Sequence, residues 1–286
     1  FQQQQQLDEP PPPLDATRGP SFGQVLNVGE DGIAMFLNVD LSGSNFTGAK
    51  LAQATFASSV LVGVNFSEAI GAGVSFIGTD LSGANFTDSR FPNSGFNNAQ
   101  LGGANFSNSH INHGVFAAAT LIGVNFTNAY VRYSVFTEAG LRDADLTGAD
   151  FRNGTMTTAN FQGATLTDTA FDYSQLDYAD LRDADLRGAS AKNVSFKQAN
   201  LSNADLSGAD LSDANLNRAT LISANLTGAI LTNVDLEWSN MQSVNLSGVD
   251  LTGADLTGAK LLNATADSST TWPEDFDPVS AGVNID

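Results

Sequence analysis

Leu201-Ser202-Asn203-Ala204-Asp205-Leu206-Ser207-Gly208-Ala209-Asp210-Leu211 states one five-residue phrase twice: a small residue, a carboxylate, a leucine and two turn-forming residues. The phrase extends in both directions without insertion or deletion. Reading every fifth residue from Phe36 to Leu261 gives 46 positions, and all but Gly71 and Ala191 are Leu, Phe, Ile, Val or Met. Two residues before each stands a small side chain, as at Ala49, Ala54, Ser59, Val64, Ala144 and Ala254. A period of five fits neither the 3.6 of a helix nor the 2.0 of a flat strand. The chain must turn once per phrase, and the intervening Gly, Asn and Asp supply the turn chemistry. A second period sets the cross-section. Leu-x-Gly-x-Asn-Phe recurs at Leu41 to Phe46, Leu61 to Phe66, Leu81 to Phe86, Leu101 to Phe106 and Leu121 to Phe126, every twenty residues, so four phrases close one coil. Coils stacked at the strand spacing of about 4.8 Å make a rod of about 11 to 12 coils and about 55 Å.

The core can be read face by face. Phe46, Phe66, Phe86, Phe106 and Phe126 share one face, and Phe56, Phe76, Phe96, Phe116 and Phe136 the opposite one, with aliphatics on the other two. Phe151, Phe161 and Phe171 then move onto the formerly aliphatic faces, and beyond Leu201 the core is nearly all Leu. Gly71 lies one coil from Phe91 and Ala191 one coil from Phe171, a pairing that limits the void each small residue would leave. Asn45, Asn65, Asn85, Asn105 and Asn125 fall on successive coils, where amides can form an axial hydrogen-bond ladder.

The phrase Ala-(Asp/Asn)-Leu-x-x, as in Ala204-Asp205-Leu206-Ser207-Gly208, resembles the repeat of the pentapeptide-repeat family, and the resemblance covers residues 36 to 265. It implies an all-β fold: a right-handed quadrilateral β-helix with the central residue and the small residue two before it pointing inwards. The closing Thr271-Trp272-Pro273-Glu274-Asp275-Phe276-Asp277-Pro278, followed by Ala281-Gly282, is similar to a tail of cyanobacterial members. The expected organisation is a Gln/Pro-rich tail over 1–20, an N-terminal cap over 21–35, the β-helix over 36–265 and a C-terminal cap over 266–286. Both rod ends expose backbone groups that need partners, which assigns Phe22, Trp272 and Phe276 to capping or end contacts. The tail, with Phe1, Gln2 and Gln3, is expected to dock on its own rod or on a neighbouring copy. A first residue of Phe rather than Met suggests removal of a targeting peptide, hence an exported protein of the cell surface, periplasm or thylakoid lumen.

Composition narrows the chemistry. The 286 residues carry 31 acidic and 12 basic side chains, a net charge of −19, and no cysteine. That balance excludes a general nucleic-acid binder and any thiolate site. No apolar run reaches membrane-spanning length. His110 and His113 have no carboxylate within ten residues and read as surface imidazoles rather than a zinc or triad site. Asp143/Asp145 and Asp183/Asp185 sit at repeat-imposed turn positions, without a calcium-loop motif. Sequons at Asn45, Asn65 and Asn225 are likewise written by the repeat. No catalytic residue, cofactor, metal or small-molecule substrate is expected.

One lateral patch stands apart. Counting in twenties places Arg132, Arg152 and Asp172 in one outward column, with Tyr133 and Tyr173 beside them and Tyr178 around the corner. Arginine and aromatics together mark protein interfaces; an Arg152–Asp172 pair between coils is the structural alternative. Three functions follow. The first is a non-enzymatic exported rod that self-associates head-to-tail or through its N-terminal tail, as a filament or surface-layer subunit. The second is a monomeric lumenal or periplasmic scaffold that binds a protein partner. The third is a gyrase-interacting DNA mimic, as known in the family. Charge weighs against the third, because residues 36–140 carry only −2 and 141–265 only −8, where a duplex of that length carries about 32.

Overall fold

The computed structural model describes residues 34–286. Phe1, Gln2, Gln3 and Phe22, the tail over 1–20 and all but the last two residues of the 21–35 segment lie outside the described residues. From Met35 onward every fifth residue bridges in parallel to the residue twenty further on, as in Asn45↔Asn65, Lys50↔Ile70, Thr55↔Ser75 and Val60↔Asp80. Four bridges per twenty residues make a four-sided β-helix.

The backbone of a single phrase explains its grammar. Phe46 N–H donates to Asn65 O (2.7 Å), Gly48 N–H to Ser67 O (2.9 Å) and Asn65 N–H to Ser44 O (3.0 Å), which ties each coil to its neighbours. Ala49 N–H closes the turn on Phe46 O at 2.9 Å. One donor is left, the N–H of Thr47, and the Asn45 Oδ1 accepts it at 3.0 Å and the Thr47 hydroxyl at 2.6 Å. The Asn or Asp before the central residue therefore satisfies the one amide that the coils cannot reach. Thr87 on Asn85, Thr127 on Asn125, Ser207 on Asp205 and Thr252 on Asp250 repeat the arrangement. An axial amide bond joins Asn85 to Asn65 (3.2 Å). The expected ladder is thus mainly a stack of local turn braces. The third residue of every turn from Asn38 to Asn263 has φ between +53° and +72°, a type II turn.

The Phe columns form as the sequence indicates. Phe46, Phe66, Phe86, Phe106 and Phe126 stack at centroid spacings of 4.5 to 5.0 Å, and Phe36 through Phe136 at 4.5 to 5.2 Å. The two columns meet edge to face, as Phe96 meets Phe106 at 5.8 Å and 85°. Phe91 fills the space at Gly71: a Cβ there would lie 3.1 Å from the Phe91 ring and 2.6 Å from Val74. Phe151 tilts 52° against Phe136 where the columns change face.

At the C-terminal end the bridge period lengthens, Asp250 pairing with Thr271. β1 (Thr265–Ala266) pairs in parallel with β2 (Asn284–Ile285). Trp272 and Phe276 stack on each other at 5.4 Å and 22°, and with Ala281 pack against the core.

Candidate functional site

The phrase that builds the turns is abandoned along part of the rod. On one face the residue before the central one is Asn or Asp almost throughout, from Asn45 to Asn245. Another face replaces it with small or β-branched residues, from Thr55 to Thr155. The face between this one and the asparagine face carries Lys50, Ile70, Arg90, His110 and Tyr130 on five successive coils. None of these accepts the turn amide as Asn45 does, and Pro92 removes the donor from its turn altogether. The side chains on this face are therefore not there for the turns.

The stacking period also brings the two histidines onto tyrosines. His110 lies on Tyr130 (centroids 4.5 Å, 15°) and His113 on Tyr133 (5.0 Å, 8°). Burial lowers the His110 pKa below the ordinary imidazole value, and the Arg90 charge lowers it further. One coil on, Asp150 is 8 % exposed and holds two guanidiniums. Arg132 Nε donates to its Oδ2 at 2.5 Å; Arg152 donates from Nη2 to Oδ2 at 2.7 Å and from Nε to Oδ1 at 2.9 Å. Burial pushes the Asp150 carboxyl up, but these donors outweigh it and hold the group below the usual carboxylate range. The two arginines remain about 40 % exposed at 41 % and 39 %.

The expected Arg152–Asp172 pair between coils is replaced by this clasp. Residues two apart project from the same face of one strand, so Arg152 reaches back within its own phrase. Arg182–Asp180 and Arg187–Asp185 do the same at 2.5 and 2.6 Å. Arg132 has Tyr130 in that position and reaches forward instead. Asp172 accepts from Ser190 Oγ (2.6 Å) and Lys192 N–H (2.9 Å). Tyr133 and Tyr173 stand on one corner, two coils apart and 52 % and 62 % exposed. Tyr178 stands on the next corner, where its hydroxyl accepts from Gln198 at 3.3 Å. Trp272 and Phe276 turn onto their own chain. The sequence reads His110 and His113 only as surface imidazoles and does not single out Arg90, Tyr130 and Asp150; counting in twenties, which aligns 110 with 130 and 113 with 133, contains the histidine contacts.

Charge sorts in the same way. Over residues 34–153 this face and its corner, positions 49–53, 69–73, 89–93, 109–113, 129–133 and 149–153, carry +3 from Lys50, Arg90, Arg132 and Arg152 against Asp150. The other faces of the same coils carry −6, from seven carboxylates and Arg142. Tyr133, Tyr173, Tyr178 and Trp238 add a further oddity. Each occupies the left-handed turn position, at φ +58°, +63°, +60° and +59°, with more than half its surface in water. The left-handed conformation costs a residue with a Cβ about 1–2 kcal/mol, and aromatics left this exposed recover little of that by burial.

The profile for "Pentapeptide repeats (8 copies)" matches residues 119–157, 155–188, 179–218 and 219–258, and that for "Pentapeptide repeat region" matches 34–106. No curated protein matches the chain significantly. Among solved structures, HetL, a pentapeptide repeat protein involved in heterocyst differentiation regulation in the cyanobacterium Nostoc sp. strain PCC 7120, is 26% identical over 81% of this chain and 86% of its own (TM-score 0.29). A pentapeptide repeat protein of the Arabidopsis thaliana thylakoid lumen is 39% identical over 32% of this chain and 64% of its own (TM-score 0.32). QnrB1, a plasmid-mediated fluoroquinolone resistance protein, is 18% identical over 70% of this chain and 94% of its own (TM-score 0.40). With profile matches spanning well over half of its length, the chain belongs to the pentapeptide repeat family.

Proposed function

We propose that the protein is a non-enzymatic scaffold, a right-handed four-sided rod that binds a protein partner along one side. The recognition surface is the face of Arg90, His110, Tyr130, Arg132 and Arg152 with the Tyr133/Tyr173 corner. The observation that carries this reading is the placement of tyrosines in left-handed turn positions, exposed, where Gly or Asn is the low-energy choice. Every turn holds this position left-handed, so the departure from the repeat lies in the ring itself, which leaves more than half its surface in water. Arg and Tyr are also the residues that dominate protein interfaces.

The test separates binding from folding. In the double variant Tyr133→Gly/Tyr173→Gly the melting temperature should stay at or above that of the parent, while a partner co-purifying with the native chain is lost. Retention of the partner at full occupancy would overturn the assignment.

A further inference from the structure

From the charge and geometry of this same face, and resting on the reading just given, we infer that the partner segment is an acidic, carboxylate-rich polypeptide. It lies along the rod axis across Arg90, Arg132 and Arg152. Three features specify that chemistry.

First, the face is an isolated positive surface, +3 on coils whose other sides sum to −6. It attracts carboxylates while the rest of the rod repels them. Second, its cations are pre-organised. Asp150 engages Arg132 through Nε alone and Arg152 through Nε and Nη2, so among the described residues both Nη groups of Arg132 and Nη1 of Arg152 remain free to donate. Two guanidiniums fixed by one nearly buried carboxylate lose little freedom when a second carboxylate arrives, and Arg forks match carboxylates bidentately. Arg90 makes no ion pair among the described residues. Third, the length suits a strand of peptide. Arg90 and Arg152 are three coils apart, about 14 Å at strand spacing, the reach of about four to five extended residues. Tyr130 and Tyr133 lie between them and offer ring surface to the stems of acidic side chains.

The measurement is fluorescence anisotropy of a labelled oligo-glutamate peptide titrated with the full chain, alongside oligo-lysine and a labelled DNA duplex. The account expects oligo-glutamate to bind, to weaken as salt is raised, and to outcompete both controls. Arg90→Glu, which breaks no ion pair of the fold, should weaken binding by about fivefold or more. Arg187→Gln, on the asparagine face, should leave it unchanged. A readout that needs no variant is the His110 titration followed by NMR: a carboxylate chain beside it favours the protonated ring, so its pKa should rise when oligo-glutamate is added.

Oligo-glutamate binding that ignores Arg90→Glu, or a His110 titration that does not move, would overturn the inference. Equal or tighter binding of the duplex would overturn it in favour of a general polyanion site. A rise in mass at low salt, abolished by Arg90→Glu, would overturn it in favour of the acidic C-terminal coils of a second copy. Loss of the native partner in the Tyr133→Gly/Tyr173→Gly variant with no oligo-glutamate binding would leave the interaction face standing and remove only its acidic specificity.

Discussion

Asp150 and Tyr173 show how single residues depart from the repeat. Where Asn or Asp precedes the central residue, its side chain commonly accepts the turn amide and, where Ser or Thr follows, its hydroxyl, as at Asn45 and Asp205. Asp150 takes the amide of Arg152 at 3.3 Å and then two guanidiniums, so a turn brace has become the anchor of a charged cluster. Removing that anchor should be costly. Asp150→Ala leaves Arg132 and Arg152 crowded without a counter-charge, and should lower stability by about 1–3 kcal/mol, measurable by chemical denaturation. Tyr173 is the opposite case. It has no partner ring among the described aromatic pairs and sits at φ +63°, so Tyr173→Gly should leave stability unchanged or raise it by up to about 1 kcal/mol. Arg90 affects its neighbour by charge alone: Arg90→Gln should raise the His110 pKa, seen by NMR titration, because the cation that disfavours imidazolium is gone.

Within one coil, what was legible in the sequence was what the five-residue and twenty-residue periods dictate. Inward positions, the Phe columns and the filling of Gly71 by Phe91 all follow from counting. The partner of Arg152 did not follow, because two periods compete at that point: a carboxylate two residues back in the same phrase and another one coil away. The nearer one prevails, as at Arg182 and Arg187. The histidines read as surface imidazoles because a search for metal or triad partners looks for carboxylates nearby in sequence, whereas their contacts are aromatic rings twenty residues away. The Phe columns give the coil its own test. Phe106 contacts the rings above and below at 4.5 and 4.9 Å, and Phe106→Ala should cost about 3–5 kcal/mol by calorimetry or denaturation.

Over the whole rod, the acidic charge and the acidic turn braces both lie toward the C-terminus. The opening coils use mainly Asn45 to Asn125, which accept the same hydrogen bonds without titrating, with Asp40 and Asp80 among them, while later coils use Asp180, Asp185, Asp210, Asp250 and Asp255. For Asp180, Asp185, Asp250 and Asp255 hydrogen bonds from the following Arg or Thr lower the carboxyl pKa, and for Asp210 bonds from Ser212 and Lys192 outweigh the burial that raises it. A carboxyl whose folded pKa lies below its unfolded one stabilises the fold fully above the unfolded value, near 4, and loses that contribution as pH falls through the folded value. Protection from hydrogen exchange, relative to the intrinsic rate at each pH, should therefore be lost first in coils beyond residue 180 as pH falls below about 4, with the Asn-braced coils protected longest. The same asymmetry isolates the positive face on the first half of the rod, where Lys50, Arg90, Arg132 and Arg152 meet Asp150 as the one carboxylate on that face and its corner.

The claim that this one side is the recognition surface is tested most directly by photo-crosslinking in cells that make the full chain. A benzoylphenylalanine is placed in turn at Tyr133, at Tyr173 and at Thr127 on the asparagine face. The account predicts a discrete crosslinked partner from Tyr133 and Tyr173 and none from Thr127. A partner captured from Thr127 and absent from both tyrosine positions would contradict it.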